Sequence, residues 1–116
     1  MHNFKELLVW QKSMGFTKKF YEITSNFPSS EIYGLTSQIR RSCISIPSNI
    51  AEGAGRNSNA QFANFLNIAL GSSFELECQI ILSKDLNFIQ ENISEELLSE
   101  LKYIQNMLIK LAQSLV

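Results

Sequence analysis

Six polar residues fall on one line in the middle of the chain: Gln38, Arg41, Ser45, Asn49, Glu52 and Arg56, spaced 3-4-4-3-4. On a helix that spacing makes a continuous seam. Arg40, Arg41 and Arg56 carry planar guanidinium groups that can grip phosphates or carboxylates through two parallel hydrogen bonds. Lys12, Lys18 and Lys19 add three further cations from upstream. One reading is therefore an anion-binding strip, with RNA or DNA as its ligand. The other is a polar network inside the protein, made of Gln38, Asn49, Glu52 and Glu75. In that network Arg41 and Arg56 meet Glu75 or Glu77 from a neighbouring helix or subunit, since buried charges are paired. The two readings differ in one respect: binding requires Lys12, Lys18, Lys19, Arg40 and Arg41 to converge on one exposed face.

Most other chemistry lacks its residues. The single histidine is His2, beside the terminus, which leaves no base for a nucleophilic triad and no imidazole for a zinc site. Di-metal bundles need Glu-x-x-His pairs on facing helices, and the chain has none. Gly53-Ala54-Gly55 is rich in glycine, but it follows a helical pattern rather than a strand and matches no phosphate loop. Glu75 and Glu77 are two positions apart, so on a helix they point about 200° from each other and cannot share a substrate. No enzyme, cofactor, metal or small-molecule substrate is expected.

Length and composition set the frame. The 116 residues fit a single domain, 1–116, and 45% are hydrophobic. Two Pro and five Gly are few for an all-β chain. Charge is uneven: residues 1–56 carry seven Lys/Arg against four Glu, and residues 57–116 carry three Lys against seven Asp/Glu. The asymmetry could make one face basic, or could draw opposite halves together within a fold or across a subunit contact. A pI near 5.8 argues against strong RNA binding unless the cations cluster. Cys43 and Cys78 read as two small buried residues in a reducing compartment. No signal peptide is evident, and no run approaches the ~20 apolar residues that span a bilayer, so the cytoplasm is the expected location.

Positioning these residues falls to four amphipathic segments. The first is predicted at 4–26, with Asn3 as cap and Glu6 completing a capping box. Lys5, Lys12 and Lys19 lie along one line of it, and the remaining surface is largely apolar. The second spans 32–54, with Leu35, Ile39, Cys43, Ile46 and Ile50 at 4-4-3-4 spacing. Pro47 should kink it near Cys43 and leave that carbonyl to a hydroxyl or water. The glycines at 53 and 55 should close it through a left-handed turn. The third spans 59–86 behind Ser58, with one apolar line of Phe62, Leu66, Ala69, Ser73, Leu76 and Ile80 and another of Ala63, Leu70, Phe74 and Ile81. The fourth, 94–115, is capped by Ser94 and carries Leu97, Leu101, Ile104, Leu108, Leu111 and Leu115 at strict 4-3 spacing. Short connections between such helices imply an all-α, antiparallel up-and-down four-helix bundle.

Helices one and three carry more apolar surface than one core absorbs, which points to a homo-oligomer. The expected contact sets Leu70, Phe74 and Ile81 against Val9, Phe16 or Phe20 of a neighbour. Trp10 reads either as a base-stacking platform or as part of core or interface.

Four segments carry a resemblance. They are Phe4-x-x-Leu7-x-Val9-Trp10-Gln11-Lys12; Phe27-Pro28-x-x-Glu31-x-Tyr33-Gly34-Leu35-Thr36-x-Gln38-Ile39-Arg40-Arg41; Ser45-Ile46-Pro47-Ser48-Asn49-Ile50-Ala51-Glu52-Gly53; and Gly71-Ser72-x-x-Glu75-Leu76. In order and content these resemble the four-helix bundle proteins encoded in intervening sequences of bacterial 23S ribosomal RNA genes, the S23 family. Ser73 departs from the pattern, standing where relatives carry a larger apolar residue. The resemblance implies a ring, typically a homopentamer, and a distant likeness to the accessory protein of diversity-generating retroelements, which works with a reverse transcriptase and RNA. It implies no established activity. The expectation is a non-enzymatic homo-oligomeric binding or scaffold protein with a nucleic acid or ribonucleoprotein partner. Its rival is a protein–protein scaffold without nucleic-acid affinity.

Overall fold

Buried side chains recur every three or four residues along four helices and meet in one core. The computed structural model describes Met1–Val116. The helices are α1 (Leu8–Thr24), α2 (Leu35–Ala54), α3 (Asn59–Asp85) and α4 (Glu91–Ser114), with 3-10 turns at Phe4–Glu6 and Ser29–Glu31 and no strand. α1 contributes Val9, Phe16 and Phe20; α2 Leu35, Ile39, Cys43, Ile46 and Ile50; α3 Phe62, Leu66, Ala69, Leu76 and Ile80; α4 Leu97, Leu101, Ile104 and Leu108. The 43 Å long axis is about the length of α3 at 1.5 Å per residue.

Side-chain pairs record the register. Thr17 meets Cys43 and Thr24 meets Arg40 between α1 and α2. Ser45 meets Ser72 and Arg41 meets Glu75 between α2 and α3. Lys12 lies over Tyr103 and Lys19 meets Glu100 between α1 and α4. In each case rising numbers on one helix meet falling numbers on the next. α1 packs mainly on α2 and only sparsely on α4, and its backbone does not come close to that of α3.

Several ends differ from their sequence expectations, each for a local reason. Asn3 does cap, accepting from the Lys5 amide at 3.2 Å, but it caps a 3-10 turn. Leu7 is extended, with φ −75° and ψ 124°, so α1 starts afresh at Leu8. α2 begins at Leu35, whose amide donates to the Glu31 carboxylate. Ser94 does not cap α4: Gln90 takes that position, and the buried Ser94 hydroxyl donates to the Glu91 carbonyl. Ser58 caps α3 as expected, accepting from the Gln61 amide. α3 ends on Asn87 at φ 63°. There the Phe88 amide reaches back to the Ser83 carbonyl and the Asn87 amide to Lys84, a paired closure that needs a left-handed residue and that asparagine tolerates.

Neither Gly53 nor Gly55 adopts a left-handed conformation. Gly53 instead lies buried within α2, where a Cβ would fall 2.6 Å from the Phe65 Cβ. Glycine there allows α2 and α3 to approach closely.

α2 continues through the buried Pro47. Proline donates no hydrogen bond, so the Cys43 carbonyl loses its helical partner. The Thr17 hydroxyl lies 3.2 Å from that carbonyl and 2.8 Å from the Ser13 carbonyl, sharing one proton between them. Thr17→Val keeps the shape and removes the donor. It is expected to cost about 1–3 kcal/mol by leaving the Cys43 carbonyl unpaired. In a Pro47→Ala background the restored amide should shrink that cost, giving a coupling of at least ~0.5 kcal/mol in a double-mutant cycle by denaturant unfolding. Additive costs would show that the hydroxyl is not compensating for the proline.

Candidate functional site

The polar seam of α2 is divided among three separate clusters. Arg41 donates to the Gln38 side-chain oxygen at 3.3 and 3.1 Å and to the Glu75 carboxylate at 3.1 Å. Asn49 donates to the Ser45 carbonyl and hydroxyl at 2.8 and 3.0 Å, and Ser45 joins Ser72 on α3 at 2.7 Å. Arg56 donates to Glu52 at 3.0 Å and lies over the Phe65 ring. Arg40 is held on α1, donating to the Thr24 hydroxyl at 2.9 Å with its guanidinium 4.6 Å from the centre of the Tyr21 ring. α2 is thus tied to both neighbours by its polar residues. Glu75 and Glu77 leave α3 on opposite flanks, as their spacing requires: Glu75 turns to α2, while Glu77 accepts from Gln105 on α4 at 2.9 Å.

Cations do not gather on one face. Lys12 and Lys19 stand beside α4, whereas Arg41 and Arg56 stand beside α3 or α2 carboxylates. Lys19, Arg41 and Arg56 are each in an ion pair. These pairs are about half exposed, so each adds only ~0–1 kcal/mol to stability. Their larger effect is to cancel the positive potential that a phosphate backbone would feel. Lys18 is exposed on α1 and belongs to none of the ion pairs.

The apolar candidates divide sharply. Val9, Phe16 and Phe20 are 4%, 4% and 1% exposed and therefore belong to their own subunit's core, which corrects the expectation that they face a neighbour. Leu70 is half-buried against that core. Phe74 and Ile81 are exposed, and Ile68 and Leu82 stand out with them on the outer side of α3. Cys78 is also exposed on this side, against the expectation of burial, while Cys43 is buried. Spacing missed Ile68, Cys78 and Leu82 because they lie beyond the second line, on the side away from the core. Trp10 packs edge-on against Phe4, ring centres 5.1 Å apart, which leaves it partly buried rather than free to stack on a base.

A groove of about 840 Å³ runs between α1 and α4, with Leu8, Lys12, Gly15, Ser99 and Tyr103 among its walls. No three His, Cys, Asp or Glu side chains come close enough to hold a metal ion. α3 is long and apolar enough to cross a membrane by length and composition, closer to that limit than its broken apolar runs suggest; in the fold a third of its most apolar window is buried.

Burial pushes the Cys43 thiol up from its ordinary 9.0 to about 12. The folded state therefore keeps a proton that the unfolded chain has lost between those values. Stability from this group is intact below pH 9 and is lost as pH rises towards 12, by up to about 1.4 kcal/mol per pH unit. Unfolding free energies of Cys43→Ala should fall less steeply than wild type between pH 9 and 11. Equal slopes would mean that Cys43 ionises freely in the native state.

The fold and its polar residues define an all-α four-helix bundle in which Lys19, Arg41 and Arg56 are tied into ion pairs and the outer side of α3 is exposed and apolar. The model of the 23S rRNA-intervening sequence protein family matches residues 5–110, and the chain belongs to that family. A crystal structure of a protein of unknown function from the S23 ribosomal protein family of Bacteroides thetaiotaomicron is similar in sequence and fold. It is 30% identical, with a TM-score of 0.81, and the match covers 90% of this chain and 98% of that one. No curated protein matches.

Proposed function

We propose that this chain is a non-enzymatic scaffold subunit that works as a homo-oligomer in the cytoplasm. The observation that carries this reading is the exposed outer row of α3, with Phe74 52% and Ile81 43% accessible. A contiguous apolar face of this kind is uncommon on a monomer unless something covers it. Each square ångström buried contributes roughly 25 cal/mol, so covering such a face supplies several kcal/mol. The resemblance to ring-forming relatives supports five copies. Light scattering of the full chain at micromolar concentration should give a mass several times 13.2 kDa. A monodisperse monomer would sink the proposal.

Association with RNA, DNA or a ribonucleoprotein is the second reading, favoured by Lys12 and Lys18, which take part in no ion pair. Binding through these two and Arg40 would be weak. Removing one phosphate contact should flatten the salt dependence by about one unit of slope. Fluorescence anisotropy with labelled RNA at ~50 mM salt tests it, and no binding at micromolar protein leaves a scaffold that recognises protein alone.

A further inference from the structure

The turn between α2 and α3 joins two long helices through Gly55, Arg56, Asn57 and Ser58, all of them exposed. Its last closing hydrogen bond runs from the Arg56 amide to the Gly53 carbonyl at 3.0 Å. Beyond it the Ser58 amide has no backbone acceptor, although the Ser58 hydroxyl is held as the cap of α3. Asparagine is a thermolabile residue, because the amide nitrogen that follows it can attack its side-chain carbonyl carbon and close a five-membered ring. A small following residue and a free amide make that attack easy.

The other asparagines are shielded from it. Asn49, Asn59, Asn64, Asn67, Asn92 and Asn106 lie in α-helices, whose backbone turns the next amide away from the side-chain carbonyl. Asn26 and Asn87 precede Phe27 and Phe88, whose amides are bound to the Thr24 and Ser83 carbonyls. The Asn3 side-chain oxygen accepts from the Lys5 amide, and the bulky Phe4 follows it. Asn57 alone combines an exposed turn, a small following residue and an unengaged amide.

Electrostatics favour the same position. The attacking species is the deprotonated Ser58 amide, so negative charge develops at the N-terminus of the 27-residue α3, two residues after Arg56. The positive end of the helix dipole and a nearby guanidinium both stabilise an anion there.

We propose that Asn57 is a site of spontaneous deamidation in the folded protein. The Ser58 nitrogen bonds to the Asn57 side-chain carbonyl carbon, the carbon–nitrogen bond of the carboxamide breaks, and the amide proton leaves with that nitrogen as ammonia. Water then opens the cyclic imide at either carbonyl. One product is aspartate, and the other is its isomer, in which the chain runs through the side-chain carbon. Both place a new carboxylate next in sequence to Arg56, which already pairs with Glu52 at 3.0 Å. The change makes a neutral position acidic at the one turn where the polar seam of α2 ends.

The full chain is incubated at mildly alkaline pH, both native and unfolded in guanidinium chloride, and its peptides are followed by mass spectrometry. An exposed turn opens at almost no cost, so Asn57 should convert in the native chain within about tenfold of its unfolded rate. Slower native conversion would overturn the proposal, because the fold would then be holding the two groups apart. The aspartate and isoaspartate peptides should appear together. Aspartate alone would mean direct hydrolysis and would overturn it as well. Ser58→Thr keeps the cap and crowds the attacking nitrogen with a branched Cβ, so it should slow the native reaction severalfold. An unchanged rate would show that the Ser58 amide is not the nucleophile.

Discussion

Phe20→Ala is expected to destabilise the subunit by about 3–5 kcal/mol, the cost of removing a large ring from a site that cannot collapse. Phe20 is 1% exposed and packs edge-on with Phe16, ring centres 5.0 Å apart. Against a typical total stability of about 5–15 kcal/mol, this removes a large fraction. The thermal midpoint should fall by roughly 10–20 °C for a chain of this size. Denaturant unfolding at two protein concentrations separates this from an effect on assembly. A core defect lowers stability at both concentrations alike. If Phe20 instead faced a neighbour, as its spacing on α1 suggests, the loss would grow on dilution and vanish for a dissociated subunit.

That contrast shows what the sequence made legible. The 4-3 repeat of α4 places Leu97, Leu101, Ile104 and Leu108 in the core, and its outer side mixes Glu95, Glu100, Lys102 and Lys110 with only Tyr103 and Ile109 as exposed large apolar residues. α1 and α3 are harder, since both bury hydroxyls. Ser13, Thr24, Ser73 and Ser83 are at most 3% exposed, and each donates back to a carbonyl three or four residues earlier in its own helix. A serine that satisfies itself in this way costs the core little, yet it reads as polar in any periodic pattern. The true inner face of α1 therefore looks no more apolar than the side bearing Leu8 and Tyr21. The same ambiguity misplaced Ser94, whose hydroxyl serves the first turn of α4 from inside rather than capping it.

The polar seam was legible as a line but not as a set of partners. Its period survives in the structure, since the helix runs on far enough for Glu52 to reach Arg56. What spacing could not supply was the position of the next helix. Only the approach of α2 to α3, made possible at Gly53, decides that Arg41 meets Glu75 and that Ser45 meets Ser72. Ion pairs across helices depend on register and distance, neither of which is written in a single segment.

Phe74→Asp is expected to have the largest effect on assembly and almost none on the subunit. The side chain points away from the core and is half exposed, so within one copy it has little to lose. The change replaces a helix-neutral residue by one of similar propensity and adds a like charge three residues before Glu77, worth a few tenths of a kcal/mol. Subunit stability should stay within about 0.5 kcal/mol of wild type. At a subunit contact the balance differs. Each copy forfeits about 1.5–3 kcal/mol of phenyl burial and must desolvate a carboxylate. With 1.4 kcal/mol per factor of ten, the contact weakens at least about a hundredfold. At micromolar concentration the variant should scatter light as a 13.2 kDa monomer with an unchanged helical circular dichroism spectrum. A variant that remains assembled would leave oligomerisation standing and exclude Phe74 from the contact. It would then fall to Leu8 and Tyr103, exposed at the walls of the groove, to find a partner elsewhere on the bundle.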